Sequence, residues 1–262
     1  MTARTLRSEA LRLLVQTDFQ VKSAGLEALS IDAIAVGAAD EIDEPEGLPG
    51  RPRKPLLVHP RLLKNRSIRS PQGHAALIHA LTHIEANAIN LALDMVWRFR
   101  AQDELFYRQW MQVAREEALH FRLLHSHLAS LGVRYGDLPA HDGLWEMAER
   151  TNGDLLARLA LVPRTLEARG LDVSPSIREK LLSIGDKAGA AILDTILSDE
   201  IGHVAIGNHW YRQTCQVLAM EPISTYARLA KAYRAPALKG PFNLEARRQA
   251  GFEEAELTAL QG

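Results

Sequence analysis

Glu117-Ala118-Leu119-His120 and Glu200-Ile201-Gly202-His203 are one four-residue pattern, Glu-x-x-His, occurring twice in the chain. On a helix, positions i and i+3 lie on adjacent turns of one face, so each pair can turn a carboxylate and an imidazole toward one point. Each pair is preceded at a matching distance by another glutamate. Glu85 stands 32 positions before Glu117, and Glu167 stands 33 before Glu200. The chain therefore reads as two helix pairs of nearly equal size, each a Glu helix followed by a Glu-x-x-His helix.

The neighbours of these carboxylates decide which way they face. Glu85 has Ile78, Leu81, Ala88, Ile89 and Ala92 at helical spacing, Glu117 has Trp110, Val113, Ala114, Phe121 and Leu124, and Glu200 has Leu193, Ile196, Leu197 and Val204. Such spacing predicts the buried stripe of a helix. Glu167 has the weaker context, with Ala160 and Leu171 but also Pro163, Arg164 and Gly170, and Glu149 and Glu146 are the alternatives on that helix. An ionised carboxylate buried without a partner costs several kcal/mol or is forced to protonate. Four at one level of a bundle are tenable with compensating cations. One Glu from each of two helices plus Glu-x-x-His from the other two is the pattern of di-iron carboxylate bundles.

The expected assignment gives one ion to Glu85, Glu117 and His120, and the other to Glu167, Glu200 and His203. Glu117 and Glu200 bridge. Glu116 and Asp199, each one residue before a ligand glutamate, are either hydrogen-bond partners of the ligand histidines or solvated helix flanks. Trp110 either lines a route to the metals or is plain core. His79 and His83 lie off the Glu85 face and read as packing residues, as do His125, His127 and His209. Tyr107 and Tyr211 are candidate redox side chains that no spacing requires. Two iron ions are the expected cofactor, with manganese a close rival for an oxygen-rich ligand set.

Working outward, Ser70-Pro71 opens the Glu85 helix, since Ser can cap free N–H groups and Pro suits the first helical turn. This helix is expected to reach about 100. Asp103 caps the next, which ends at Leu131-Gly132. Residues 133–142 form the longer crossover; ten extended residues reach roughly 33–36 Å. A third helix is expected from about 144 to 169, kinked or split at Pro163. Ser174-Pro175 repeats the opening signal for a fourth, about 176 to 220. Before the bundle lie a helix over about 4–29 and an irregular stretch, 32–69. That stretch is acidic at 40–46 and basic from Arg51 through Lys64 to Arg69. After the bundle come a helix over about 222–234 and a loop-like tail from Lys239 with room for a short helix. The expected division is 1–69, an N-terminal helix and strap; 70–220, the di-metal bundle; and 221–262, a helical extension and tail.

Composition agrees. The chain has 262 residues and a formal net charge of −1, so charge gives no global argument for nucleic acid or membrane. Cys215 is the only cysteine, which excludes an internal disulfide and a thiolate cluster. The start, Met1-Thr2-Ala3-Arg4, has no apolar signal core after it, and no run of about 18 apolar residues occurs. A cytoplasmic protein is expected, with no membrane partner.

Several segments resemble the ferritin-like family catalogued as domain of unknown function 455. They are Gly50-Arg51-Pro52 with Pro55; Leu81-Thr82-His83-Ile84-Glu85 with Ala88-Ile89; Glu116-Glu117-Ala118-Leu119-His120-Phe121; Leu161-Val162-Pro163-Arg164 with Leu166-Glu167-Ala168-Arg169-Gly170-Leu171-Asp172; and Asp199-Glu200-Ile201-Gly202-His203-Val204. The resemblance covers about 4–235. It implies an all-α, ferritin-like four-helix bundle with a long crossover and extra terminal helices, and it strengthens Glu167 as a ligand. It implies no substrate. A more distant similarity is to the di-iron tRNA hydroxylase that oxidises a prenylated adenosine, an analogy of fold alone.

The favoured function is an oxidoreductase, an O2-dependent di-iron oxidase or hydroxylase of unidentified substrate and electron donor. A tRNA-modifying hydroxylase would need the basic 51–69 segment to form a patch for phosphate. An iron-binding ferroxidase would act on no organic substrate. A metal-free interaction module would turn Glu85 and Glu200 to solvent. A homodimer is among the expected assemblies.

Overall fold

The computed structural model describes residues 4–64 and 66–260. Met1–Ala3, on which the leader reading partly rests, lie outside the described residues. Among the described residues the protein is all-α, with no named strand. No helix is long and apolar enough to cross a membrane. The chain divides into two compact units, one ending at Asp142 and one beginning at Gly143.

The first unit holds α1 (Leu6–Leu14), α2 (Phe19–Glu27), α3 (Pro71–Arg98) and α4 (Glu104–Ser130). Its core is the hairpin of α3 and α4, against which α1 and α2 pack. The single helix expected over 4–29 is two. Asp18 is the reason: its carboxylate accepts from the N–H groups of Gln20 at 2.8 Å and Val21 at 3.3 Å, starting α2 afresh. Such capping outcompetes an interior helical position for Asp. The freed end of α1 is satisfied from afar, with the Gly50 N–H donating to the Leu14 carbonyl at 2.8 Å. Lys22, fully buried, donates to the carbonyls of Leu14 and Gly50 and to Asn90 of α3. Burial, then the charge of Arg51, pushes its ammonium down to about 7.

α3 and α4 begin where the sequence predicts. The Ser70 hydroxyl accepts from Gly73 at 3.1 Å with Pro71 in the first turn, and Asp103 accepts from Leu105 at 2.8 Å. Between α2 and α3 the described residues of the strap have no regular structure except short 3-10 turns at Ile31–Ala33 and Pro60–Leu62. One isolated bridge, Leu57 with Ala140, ties it to the 133–142 connection. The acidic stretch pairs with the end of α3: Glu44 with Arg98 at 3.0 Å and Glu41 with Arg100 at 2.8 Å. Of the basic stretch, Arg51 pairs with Asp142, while Arg53, Lys54, Arg61, Lys64, Arg66 and Arg69 are exposed.

His79 and His83 are core histidines of this unit. His79 Nε2 accepts the Gly136 N–H at 3.0 Å, and its ring stacks on Tyr135. His83 meets the Tyr135 hydroxyl at 2.8 Å through Nδ1 and the His141 carbonyl at 3.0 Å through Nε2. Burial depresses His79 to about 4, because the neutral ring is the acceptor. With the folded value below the unfolded one, its contribution is complete above about pH 6.5 and is lost as pH falls toward 4. His79→Gln should flatten the acid limb of the stability profile by about 3 kcal/mol, read from urea midpoints between pH 7 and 4. An unchanged limb would refute the assignment.

The second unit holds α5 (Gly143–Arg150), α6 (Leu155–Leu161), a π-helical turn (Val162–Glu167), α7 (Ala168–Ser183), α8 (Lys187–Val217), α9 (Pro222–Ala232), α10 (Leu244–Gln249) and α11 (Glu254–Ala259). The expected disturbance at Pro163 is this π turn. Proline removes a helical donor, and the Thr165 hydroxyl takes the Ala160 carbonyl at 2.8 Å across the widened turn. Gly207 of α8 lies so close that a Cβ there would fall 2.5 Å from the Pro163 ring.

Ser174-Pro175 does not open a helix. α7 runs through it, and the Leu171 carbonyl that Pro175 cannot satisfy accepts the Asn243 amide at 3.2 Å. The true start of α8 is Asp186, capping Gly189 at 2.8 Å after Gly185 at φ +83°. The tail holds two short helices instead of a loop, because Ala246, Ala250, Phe252 and Leu257 pack on Ala168, Leu171 and Val204.

Candidate metal centre

α3 and α4 bring Glu85, Glu117 and His120 together. Each offers one ligand atom, and these lie within 4.8 Å of one another. His120 turns Nδ1 toward both carboxylates, 3.3 Å from Glu117 Oε2 and 3.4 Å from Glu85 Oε2. All three are buried, with exposures of 4%, 1% and 0% in sequence order. Ile78, Ala88, Ile89, Val113, Ala114 and Phe121, buried on the same two helices, keep the surroundings apolar.

The electrostatics follow from that burial. Glu85 is pushed up to about 8 by burial; His120 opposes the rise and the Glu117 charge adds to it. Burial alone would lower His120, but hydrogen bonding and charge from Glu117 and Glu85 carry it to about 11. Glu85 therefore keeps its proton near neutral pH, and the His120 imidazolium balances the Glu117 carboxylate. Glu85 Oε2 has no hydrogen-bond partner, since His120 at 3.4 Å is too long for a good one. Buried polar atoms in this condition call for an explanation, an ion among them. A hard divalent cation fits the donor set of two carboxylates and a neutral imidazole.

The second unit repeats the motif on α8. Glu200 and His203 are buried, at 7% and 1% exposure, with His203 Nδ1 3.7 Å from Glu200 Oε1. Glu167 closes the π turn; the residue is half-buried and its Oε2 is shielded from solvent. Single π turns recur at functional sites. Glu146 and Glu149 are exposed on the separate helix α5, where Glu149 accepts from the Trp145 indole at 2.9 Å.

The remaining expectations sort plainly. Glu116 is half-buried and accepts from Gln112 at 2.8 Å, and Asp199 is half-buried on α8. Trp110 is core, 1% exposed and packed edge-on to Phe106. The hydroxyls of Tyr107 and Tyr211 donate to the carbonyls of Phe99 and Pro222 at 2.8 and 2.7 Å. The His125 ring lies tilted against Phe121, and His209 meets Trp210 edge-on. Tyr135, which orients His83, was treated in the sequence only as part of a connection. Its one local signal was an aromatic residue inside a Gly/Pro-bearing loop.

The model of a family described as "Protein of unknown function (DUF455)" matches residues 11–258. A Haemophilus influenzae (strain ATCC 51907 / DSM 11121 / KW20 / Rd) protein bearing the name "Uncharacterized protein" is 49% identical over 224 residues, which cover 83% of this chain and 78% of that one. No solved structure matches. By a match that spans most of its length, the chain belongs to the DUF455 family.

Proposed function

We propose that the protein is a ferritin-like di-iron carboxylate protein, an O2-dependent oxidase or hydroxylase. The observation that carries this reading is the buried trio of Glu85, Glu117 and His120, in which a carboxylate oxygen is held away from water without a hydrogen bond. The repeat of the same motif at Glu200 and His203, with Glu167 before it, is the second support. In this reading Glu85, Glu117 and His120 would hold one ion, and Glu167, Glu200 and His203 would hold the other. Manganese suits the same donors, so the choice of iron rests on the mixed imidazole and carboxylate set.

When bound, the ions would supply reductive activation of dioxygen. The chain's own residues have simpler tasks. The carboxylates would neutralise the cations. Each histidine, three residues after a glutamate, sets the distance between an oxygen and a nitrogen ligand along one helix. The apolar lining keeps bulk water from the carboxylates, which strengthens every interaction inside.

Glu200→Ala combined with His203→Ala tests the reading. The variant should retain its helical circular dichroism and lose at least one bound iron per chain. Unchanged metal content in a folded variant would overturn it.

A further inference from the structure

His74 and His127 meet across the α3–α4 hairpin at its open end, far from the 99–103 connection. In an antiparallel pair, a step back along one helix is matched by an equal step forward along the other. From Glu85 back to His74 is 11 residues, and from Glu117 forward to His127 is 10. The two histidines therefore stand opposite each other, about 15–16 Å along the hairpin from the carboxylate trio. Eleven residues also make three helical turns to within about 20°, and the seven from His120 to His127 make two turns to within about the same angle. His74 continues the stripe of Glu85, and His127 continues the stripe of His120. The face that carries the candidate metal centre carries a second, separate pair of ligand-bearing side chains.

A ring nitrogen of His74 and one of His127 lie within 4.8 Å of each other. The ring centres are 6.2 Å apart and the planes are inclined by 59°, so the rings do not lie face to face. Two imidazole nitrogens at their usual distance from one tetrahedral zinc stand roughly 3.4 Å apart. A small swing of either ring closes the difference, and both residues are half-buried, with solvent at hand to complete a coordination shell. The backbones beneath them are held. Leu124 and Leu128 are fully buried on the turn that carries His127, and the His74 N–H donates to the Ser70 carbonyl at 2.9 Å. Imidazole suits zinc, nickel and copper, whereas magnesium and calcium prefer oxygen ligands. We propose that His74 and His127 bind one divalent transition ion of the zinc class, with water as the remaining ligands. The 99–103 connection already ties one end of the hairpin covalently. An ion on the two histidines ties the other, holding together the helices that carry Glu85 and Glu117.

The probe is Zn2+. The full-length chain is stripped with chelator, dialysed against Zn2+ and analysed for bound metal, alongside His74→Gln and His127→Gln. Each variant should keep the circular dichroism of the wild type and bind one zinc fewer per chain. Zinc taken up by Glu85, Glu117 and His120 is common to all three proteins and cancels in the difference, so the result is independent of the di-iron reading. Equal zinc content in all three proteins would overturn the proposal and leave the histidines as a packing contact. A loss in only one of the two variants would overturn it as well, because the ion would then rest on a single histidine.

Discussion

Glu85→Leu should melt at a higher temperature than the metal-free parent, by about 5 °C, and retain at most one iron where the parent retains two. Glu85 sits among Ile78, Ala88, Ile89 and Ala92 on the buried face of α3, with one carboxylate oxygen unsatisfied. Removing a buried carboxyl whose oxygen lacks a hydrogen-bond partner relieves a desolvation penalty of about 1–3 kcal/mol. Leucine leaves His120 with Glu117, 3.3 Å away, so no new orphan is created. For a chain of this size about 2 kcal/mol corresponds to roughly 4–8 °C. A gain in stability with a loss of metal is the signature of a residue kept for binding. Differential scanning calorimetry on chelator-treated protein, with iron analysis of reloaded samples, reads both. A fall of several degrees would mean that Glu85 is a structural partner of His120, and the metal reading would lose its main support.

The largest loss of stability should come from Asp172→Ala, about 4 kcal/mol. Asp172 and Arg247 are both inaccessible to solvent at their side chains and are joined by two hydrogen bonds. Asp172 also accepts the Asn243 N–H at 3.0 Å, tying α7 to the start of α10. Removing one partner of a buried pair leaves the other charge uncompensated, at a cost of about 3–5 kcal/mol. Asp172→Asn keeps an acceptor for Asn243 and should cost clearly less. Urea unfolding followed at the transition of the second unit measures the difference. A penalty under about 1 kcal/mol for Asp172→Ala would show that Arg247 finds another partner.

What could be read in the sequence depended on how local each determinant is. Ser70-Pro71 and Asp103 announced α3 and α4 because a cap acts within three residues of itself. Ser174-Pro175 carries the same local signal and misled, because the carbonyl freed by Pro175 is satisfied by Asn243, far along the chain. Asp18 was hidden inside an apolar pattern that continues on both sides of it, so two helices read as one. Of the candidate ligands, Glu85, Glu117 and Glu200 showed themselves through a 3.6-residue apolar spacing that their helices keep. Glu167 did not, since the π turn at Val162–Glu167 shifts the register in which such spacing is counted. The pairing of Arg247 with Asp172, 75 positions apart, leaves no trace in either neighbourhood.

The central claim is that this chain holds two metal ions, and counting them tests it most directly. Purified protein would be stripped with chelator, loaded anaerobically with Fe(II), freed of excess metal and analysed for iron per chain. Two irons per wild-type chain, with none or one in Glu200→Ala/His203→Ala, is the predicted result. A wild-type chain that retains neither iron nor, in a parallel loading, manganese would contradict the account and leave the buried carboxylates as structural groups of a metal-free protein.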